Sequence, residues 1–427
     1  MRVGEWRLVA LGDVLEIQHG FAFRGEFFDA SGTDVLLTPK NFEPSGGIDV
    51  TDRRCKRYSG PTDERFVLAE GDIVVAMTDL KQDAPILGST GVVPNGGKYL
   101  HNQRIGKVLI RDSDRLHRGF VPWLLNSPSV REGVRATATG ATVRHTAPTR
   151  ICAIRAPIPS IDGQRRIAAV LSAFDELIEI NERRIELLED LARSLYREWF
   201  VHFRFPGHED VELVDSELGP IPEGWEVRRL DKLATLHRRS TKPANEPETV
   251  FEHFSIPAFD SGALPALEPG GAIKSAKYQV EVDAVLLSKI NPKFPRVWFA
   301  QPRSVDAIAS TEFLVWVGVD VSNAWLWSLF LDETFRRRLV GSAGGTSTSH
   351  QRFKPADVAG RSVALARATV LGAFDSLADP ALRQAAIIRE QNHQLAATRD
   401  LLLPRLVTGR LDISDIDLGI LTPAEVE

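Results

Sequence analysis

Between Gln164 and Trp199, apolar side chains recur at intervals alternating between four and three: Ile167, Leu171, Phe174, Ile178, Ile185, Leu188, Ala192, Leu195 and Trp199, with Asn181 filling the one polar step. That spacing keeps a single stripe on one face of an α-helix and is the seam of a coiled coil. From Asp162 to Phe200 the helix would extend roughly 58 Å at 1.5 Å per residue, so its stripe calls for a second long helix. The matching pattern starts at Pro380, a good first helical residue, and passes Ile388, Asn392, Leu395 and Leu402 to a break at Pro404, with Arg399 interrupting the stripe. Asn392 echoes Asn181. In the seam such a pair fixes register at a cost in stability, and at the seam's edge it is solvated; the spacing allows both.

Outside these helices the apolar runs are short, rich in Val and Ile, and punctuated by Gly and Pro, which predicts strands. Residues 70–78 and 281–289 echo one another as a turn entering an apolar strand, aligned end to end. The openings Trp6-Arg7-Leu8 and Trp225-Glu226-Val227 echo likewise. The chain thus reads as a duplication, with globular parts over 1–155 and 219–370, helix and linker over 156–218, and helix and tail over 371–427. Each globular part is expected to be α+β and mostly strands, without a parallel βαβ sheet. Two similar surfaces suit a ligand that itself repeats, as duplex DNA does about every 34 Å.

Net charge refines this picture. The whole chain is at −5, but residues 1–155 and 219–370 are each +3, while 156–218 and 371–427 are −7 and −4. Positive globular parts with acidic connectors fit domains that touch phosphate and helices that face a protein. The two cysteines, Cys55 and Cys152, make no disulfide framework, no stretch is apolar enough for a bilayer, and the start lacks the apolar core of a signal peptide. A cytoplasmic protein is expected.

Candidate contacts come from a small, hydroxyl-rich stretch near the end of each globular part. Residues 138–146 supply Thr142, Arg144 and His145; residues 344–352 supply Thr346, Ser347, Thr348, His350 and Arg352. Glycine allows close backbone approach, and these side chains suit phosphate oxygens or base edges. Lys289 and Lys293 join them as candidate phosphate contacts. Catalysis finds less support. No two glycines stand two positions apart, as a dinucleotide-type turn requires, and neither Gly97-Lys98 nor Gly106-Lys107 completes a phosphate-binding loop. Asn291-Pro292-Lys293-Phe294 resembles the base-holding motif of amino-methyltransferases, but Lys293 replaces its second Pro, and it reads as a turn after a strand. No His and Cys spacing makes a metal site.

Four segments, in order, resemble the specificity subunits of type I restriction-modification systems: residues 164–171 (Gln-Arg-Arg-Ile-Ala-Ala-Val-Leu), 199–203 (Trp-Phe-Val-His-Phe), 217–225 (Glu-Leu-Gly-Pro-Ile-Pro-Glu-Gly-Trp) and 401–411, which holds Leu403-Pro404-Arg405-Leu406 and Thr408-Gly409-Arg410-Leu411. The resemblance implies an α+β fold: two mostly-β target recognition domains in a pseudo-two-fold arrangement, separated by two long antiparallel coiled-coil helices. It implies a non-catalytic chain that reads a bipartite, asymmetric sequence in double-stranded DNA and docks methyltransferase and restriction subunits along its seams. S-adenosylmethionine, ATP and Mg would then belong to those partners, with no cofactor or metal on this chain. Two other readings remain open from the residues alone, a coiled-coil scaffold that binds only proteins and a stand-alone DNA methyltransferase.

Overall fold

The computed structural model describes residues 6–51, 54–280, 283–342, 344 and 351–411. These form two compact units: the first holds the chain up to Leu177 and from Leu395 onward, the second holds Ile178–Gln394.

Within the first unit, strands Leu15–His19, Ile105–Ile110, Ile73–Ala76 and Thr90–Val92 lie side by side in that order, all antiparallel. Within the second, Ala234–His237, Phe313–Gly318, Ala284–Ser288 and Val297–Ala300 repeat both order and sense. Ile73–Ala76 and Ala284–Ser288 are buried at every residue, which is why they read as unbroken apolar runs. A further sheet in each unit contains one parallel pair, Asp34–Leu37 with Tyr99–His101 and Val250–Phe254 with Ala307–Ser310. The chain between those partners passes through antiparallel strands, so both units are α+β as expected. An antiparallel clasp closes each unit, Arg7–Ala10 on Arg155–Ile158 and Glu226–Arg229 on Ser362–Leu365.

The first long helix runs Ile161–Tyr196, 36 residues, and continues as a π-helical turn over Arg197–Val201. Its start is anchored by Gln164, fully buried: Oε1 accepts from His117 N at 2.7 Å, and Nε2 donates to Arg115 O and Pro159 O at 2.8 and 2.9 Å. A buried amide with every group satisfied fixes the helix on the first unit.

The second long helix corrects the expectation. It runs Ala368–Leu406, 39 residues, so Pro380 lies inside it rather than at its start, and Pro404 does not break it. An interior proline forfeits one hydrogen bond and costs about 3 kcal/mol. Around Pro380, however, Phe374, Ala378, Ala381 and Leu382 are 0, 0, 5 and 2% exposed. Burying each large side chain contributes roughly 1.5–3 kcal/mol, which outweighs the penalty. Past Pro404 the same logic holds, because Leu403, Leu406 and Val407 enter the first unit's core.

Candidate nucleic-acid interface

In the first unit the chain leaves strand Ile73–Ala76 and forms a second short pairing, Thr78–Asp79 against Arg144–His145. Thr139 and His145 exchange two backbone hydrogen bonds, at 2.9 and 3.0 Å, closing a hairpin. Gly140 sits in it at φ +98°, where a Cβ would lie 2.1 Å from Val143 O, so only glycine fits. Met77 holds the corner together: its N donates to Arg104 O and its O accepts from Thr146 N, both at 3.0 Å. Thr142 and His145 are exposed; Arg144 is half-buried and donates to Gly140 O at 3.4 Å. Asp79, 2% exposed, accepts from Lys81 N and Ile86 N at 2.9 and 2.7 Å, shaping a loop that presents Leu80 and Lys81. Sequence reasoning missed that loop, because its only signal is an Asp two residues before a Lys.

The second unit builds the same frame. Lys289 N donates to Glu312 O at 3.0 Å, Lys289 O accepts from Phe353 N at 3.4 Å, Ile290 pairs with Arg352, and Arg352 exchanges two 3.1 Å hydrogen bonds with Gly344. Met77 therefore corresponds to Lys289, Arg104 to Glu312 and His145 to Arg352. The end-to-end alignment of 70–78 with 281–289 is one residue out of register. A further expectation falls at Arg352. Its guanidinium makes a bidentate pair with Glu312, Nε and Nη2 each at 3.1 Å, so it braces the corner instead of standing free for phosphate. Lys289 is half-buried and Lys293 exposed. Residues 291–294 form the expected turn, with Phe294 N donating to Asn291 O at 2.9 Å and Asn291 at φ +50°. Thr346, Ser347, Thr348 and His350 lie outside the described residues.

Residues 4–190 match the type I restriction modification DNA specificity domain. Beyond that stretch, the MjaIX specificity subunit of a type I restriction enzyme from Methanocaldococcus jannaschii is 24% identical over 439 residues, covering 96% of this chain and 95% of that protein. The EcoDI specificity subunit from Escherichia coli is 24% identical over 276 residues, 58% of this chain and 59% of that one. In fold, the S subunit of the type I system from M. genitalium superposes with a TM-score of 0.59 at 13% identity, over 95% of this chain and 97% of that structure. Residues 4–190 thus carry a type I DNA specificity domain, and the chain is similar over nearly its whole length to type I specificity subunits.

The predicted seam serves three environments. Ile167 and Leu171 are buried in the first unit's core with Leu403 and Leu406, while Leu402 packs at its margin; Phe174 is half-buried. There Arg399, the residue that interrupts the second stripe, forms an ion pair with Asp175. In the second unit Asn181 Nδ2 donates to Asn392 Oδ1 at 2.8 Å, and Asn392 Nδ2 donates to Ile178 O at 3.1 Å. The pair is inside the seam, with Asn181 5% exposed. Ile185 and Leu188 then meet Ala385 and Ile388, and Arg389 meets Glu189 at 2.5 Å, an antiparallel order. Past them Leu195 and Trp199 leave the helix pair for the second unit's core. Leu395 is half-buried in the first unit.

Burial pushes His101 down to about 4, and as the neutral imidazole it donates from Nε2 to Ile105 O at 2.9 Å across the Arg104 turn. Among the described residues, no group of three or more His, Cys, Asp or Glu could hold a metal ion, and no helix is long and apolar enough to cross a membrane.

Proposed function

We propose that this chain reads a bipartite, asymmetric target in double-stranded DNA and carries no catalytic group of its own. Each corner would lie against one half of the target, with phosphate contacts setting register and side chains such as Thr142, Arg144 and His145 reaching base edges. Lys289 and Lys293 would make the phosphate contacts of the second unit. The paired long helices would set the gap between the halves and dock methyltransferase subunits, which a restriction subunit joins. S-adenosylmethionine, ATP and Mg would sit on those partners, in the cytoplasm.

The observation that carries the reading is the corner itself: one hydrogen-bond frame, built in each unit, bears Arg104 and His145 in one and Glu312 and Arg352 in the other. A repeated frame with unlike side chains supports two similar acts of recognition directed at unlike sequences. Mapping modified bases in host DNA with and without this gene tests it. A split motif with a constant gap, lost on deletion, is the expected result; a contiguous motif, or no change, overturns the proposal.

A further inference from the structure

Beside the first unit's corner, strand pairing brings three cations from separate segments together: Leu36 lies opposite Lys56, and Leu37 lies opposite His101, these last two standing three residues ahead of Lys40 and Arg104 respectively. Lys40 follows strand Asp34–Leu37, Lys56 opens strand Lys56–Tyr58, and Arg104 occupies the turn after strand Tyr99–His101. All three are exposed. Among the described residues, none of their side chains pairs with a carboxylate. Asp29, which borders the same recess as Lys56, accepts instead from its own neighbour, Ser31 N at 2.9 Å and Ser31 Oγ at 2.7 Å. Lys56 Nζ rests 3.4 Å from the centroid of the Phe28 ring, which holds the ammonium in place without neutralising it. Burial first, then the positive charges of Lys40 and Arg104, lower the Lys56 pKa.

Other surface cations of this unit have acidic partners, Lys98 with Asp34 at 2.7 Å and Arg111 with Glu16 at 3.0 Å. Lys40, Lys56 and Arg104 lack such partners among the described residues, and the charges of the first and last bear on Lys56, a local positive field that an anion would relieve. The field adjoins the reading hairpin, because Arg104 O and Thr146 N both bond Met77. The second unit has no like charge at the matching turn, where Glu312 replaces Arg104 and is occupied by Arg352.

We propose that Lys40, Lys56 and Arg104 form a phosphate clamp on the first unit, gripping the DNA backbone beside the hairpin. The inference rests on the DNA-reading proposal above and adds which side chains provide sequence-independent affinity.

The test uses the full chain assembled with its methyltransferase subunits and a duplex carrying the mapped target, with binding measured from 50 to 200 mM salt. Each of Lys40→Gln, Lys56→Gln and Arg104→Gln should reduce the slope of log affinity against log salt by about 0.9, so the loss of affinity across that range shrinks about 3.5-fold per charge removed. Target and non-target duplexes should weaken by the same factor, and Lys40→Arg and Lys56→Arg should restore the slope. Thermal melting and methyltransferase assembly confirm that each variant folds. An unchanged slope in variants that still bind the target overturns the clamp, and so does a selective loss of target discrimination, the mark of a base contact. If the unsubstituted complex shows no preference for the target, the DNA-reading proposal itself fails, and the clamp with it.

Discussion

The two corners share a skeleton and differ in how charge is arranged on it. In both, a residue following the buried central strand bonds the turn on one side and the loop-closing segment on the other, through Met77 in one and Lys289 in the other. On that skeleton the first unit exposes Arg104 and His145, whereas the second joins Glu312 and Arg352 to each other. Even the turns are propped alike, Arg104 N donating to Asn102 Oδ1 at 2.9 Å and Glu312 N to Ser310 Oγ at 3.3 Å. Backbone hydrogen bonds thus preserve a platform while side chains are free to change what it recognises.

The largest break in that parallel should come from Gly140→Val. At φ +98° and with Val143 O 2.1 Å from any Cβ, valine cannot occupy the hairpin without opening it. If about three base pairs of the first half-site depend on the hairpin at about 1–3 kcal/mol each, discrimination there should fall at least about 100-fold while the other half-site is read as before. Competition binding with duplexes altered in one half at a time measures this, and equal loss at both halves would contradict the assignment.

Acid should separate the corners next. His101 lies under the Arg104 turn, and Ala309 holds the matching place in the second unit. Above about pH 6.5 neither folded nor unfolded chain protonates the imidazole, and its site is at full stability. As the pH falls from 6.5 to about 4, the unfolded chain takes up a proton that the buried ring refuses, so stability is lost across that window. The loss amounts to about 3 kcal/mol for this group. Melting curves of His101→Gln should show a shallower decline over the same pH range; an identical decline would mean that the ring is not the cause.

What the sequence discloses about these regions follows from the range of the forces involved. The first long helix is legible because one stripe is buried or half-buried along its length, even though three different environments cover it. The second is misread at Pro380, since the burial of Phe374 and Leu382 that overrides the proline belongs to the tertiary fold. The hairpin announces itself through Gly140 and its hydroxyl neighbours, a local signal. Lys40, Lys56 and Arg104 do not, because their proximity is made by strand pairing between distant segments. Arg352 was legible as a cation near the corner but not as an occupied one, because Glu312 lies 40 residues upstream.

That occupied pair offers the finest test of the comparison. Glu312→Gln keeps the shape of the turn and its backbone bond to Lys289, but releases the Arg352 guanidinium from its carboxylate. A half-exposed bidentate pair contributes at most about 1 kcal/mol, so the second unit should melt only slightly earlier. If an unoccupied cation at this place meets phosphate, as proposed for Arg104, the salt slope of DNA binding should steepen by about 0.9. A stability change with an unaltered slope would place this corner away from the DNA backbone and leave the charge difference between the units without a part in binding.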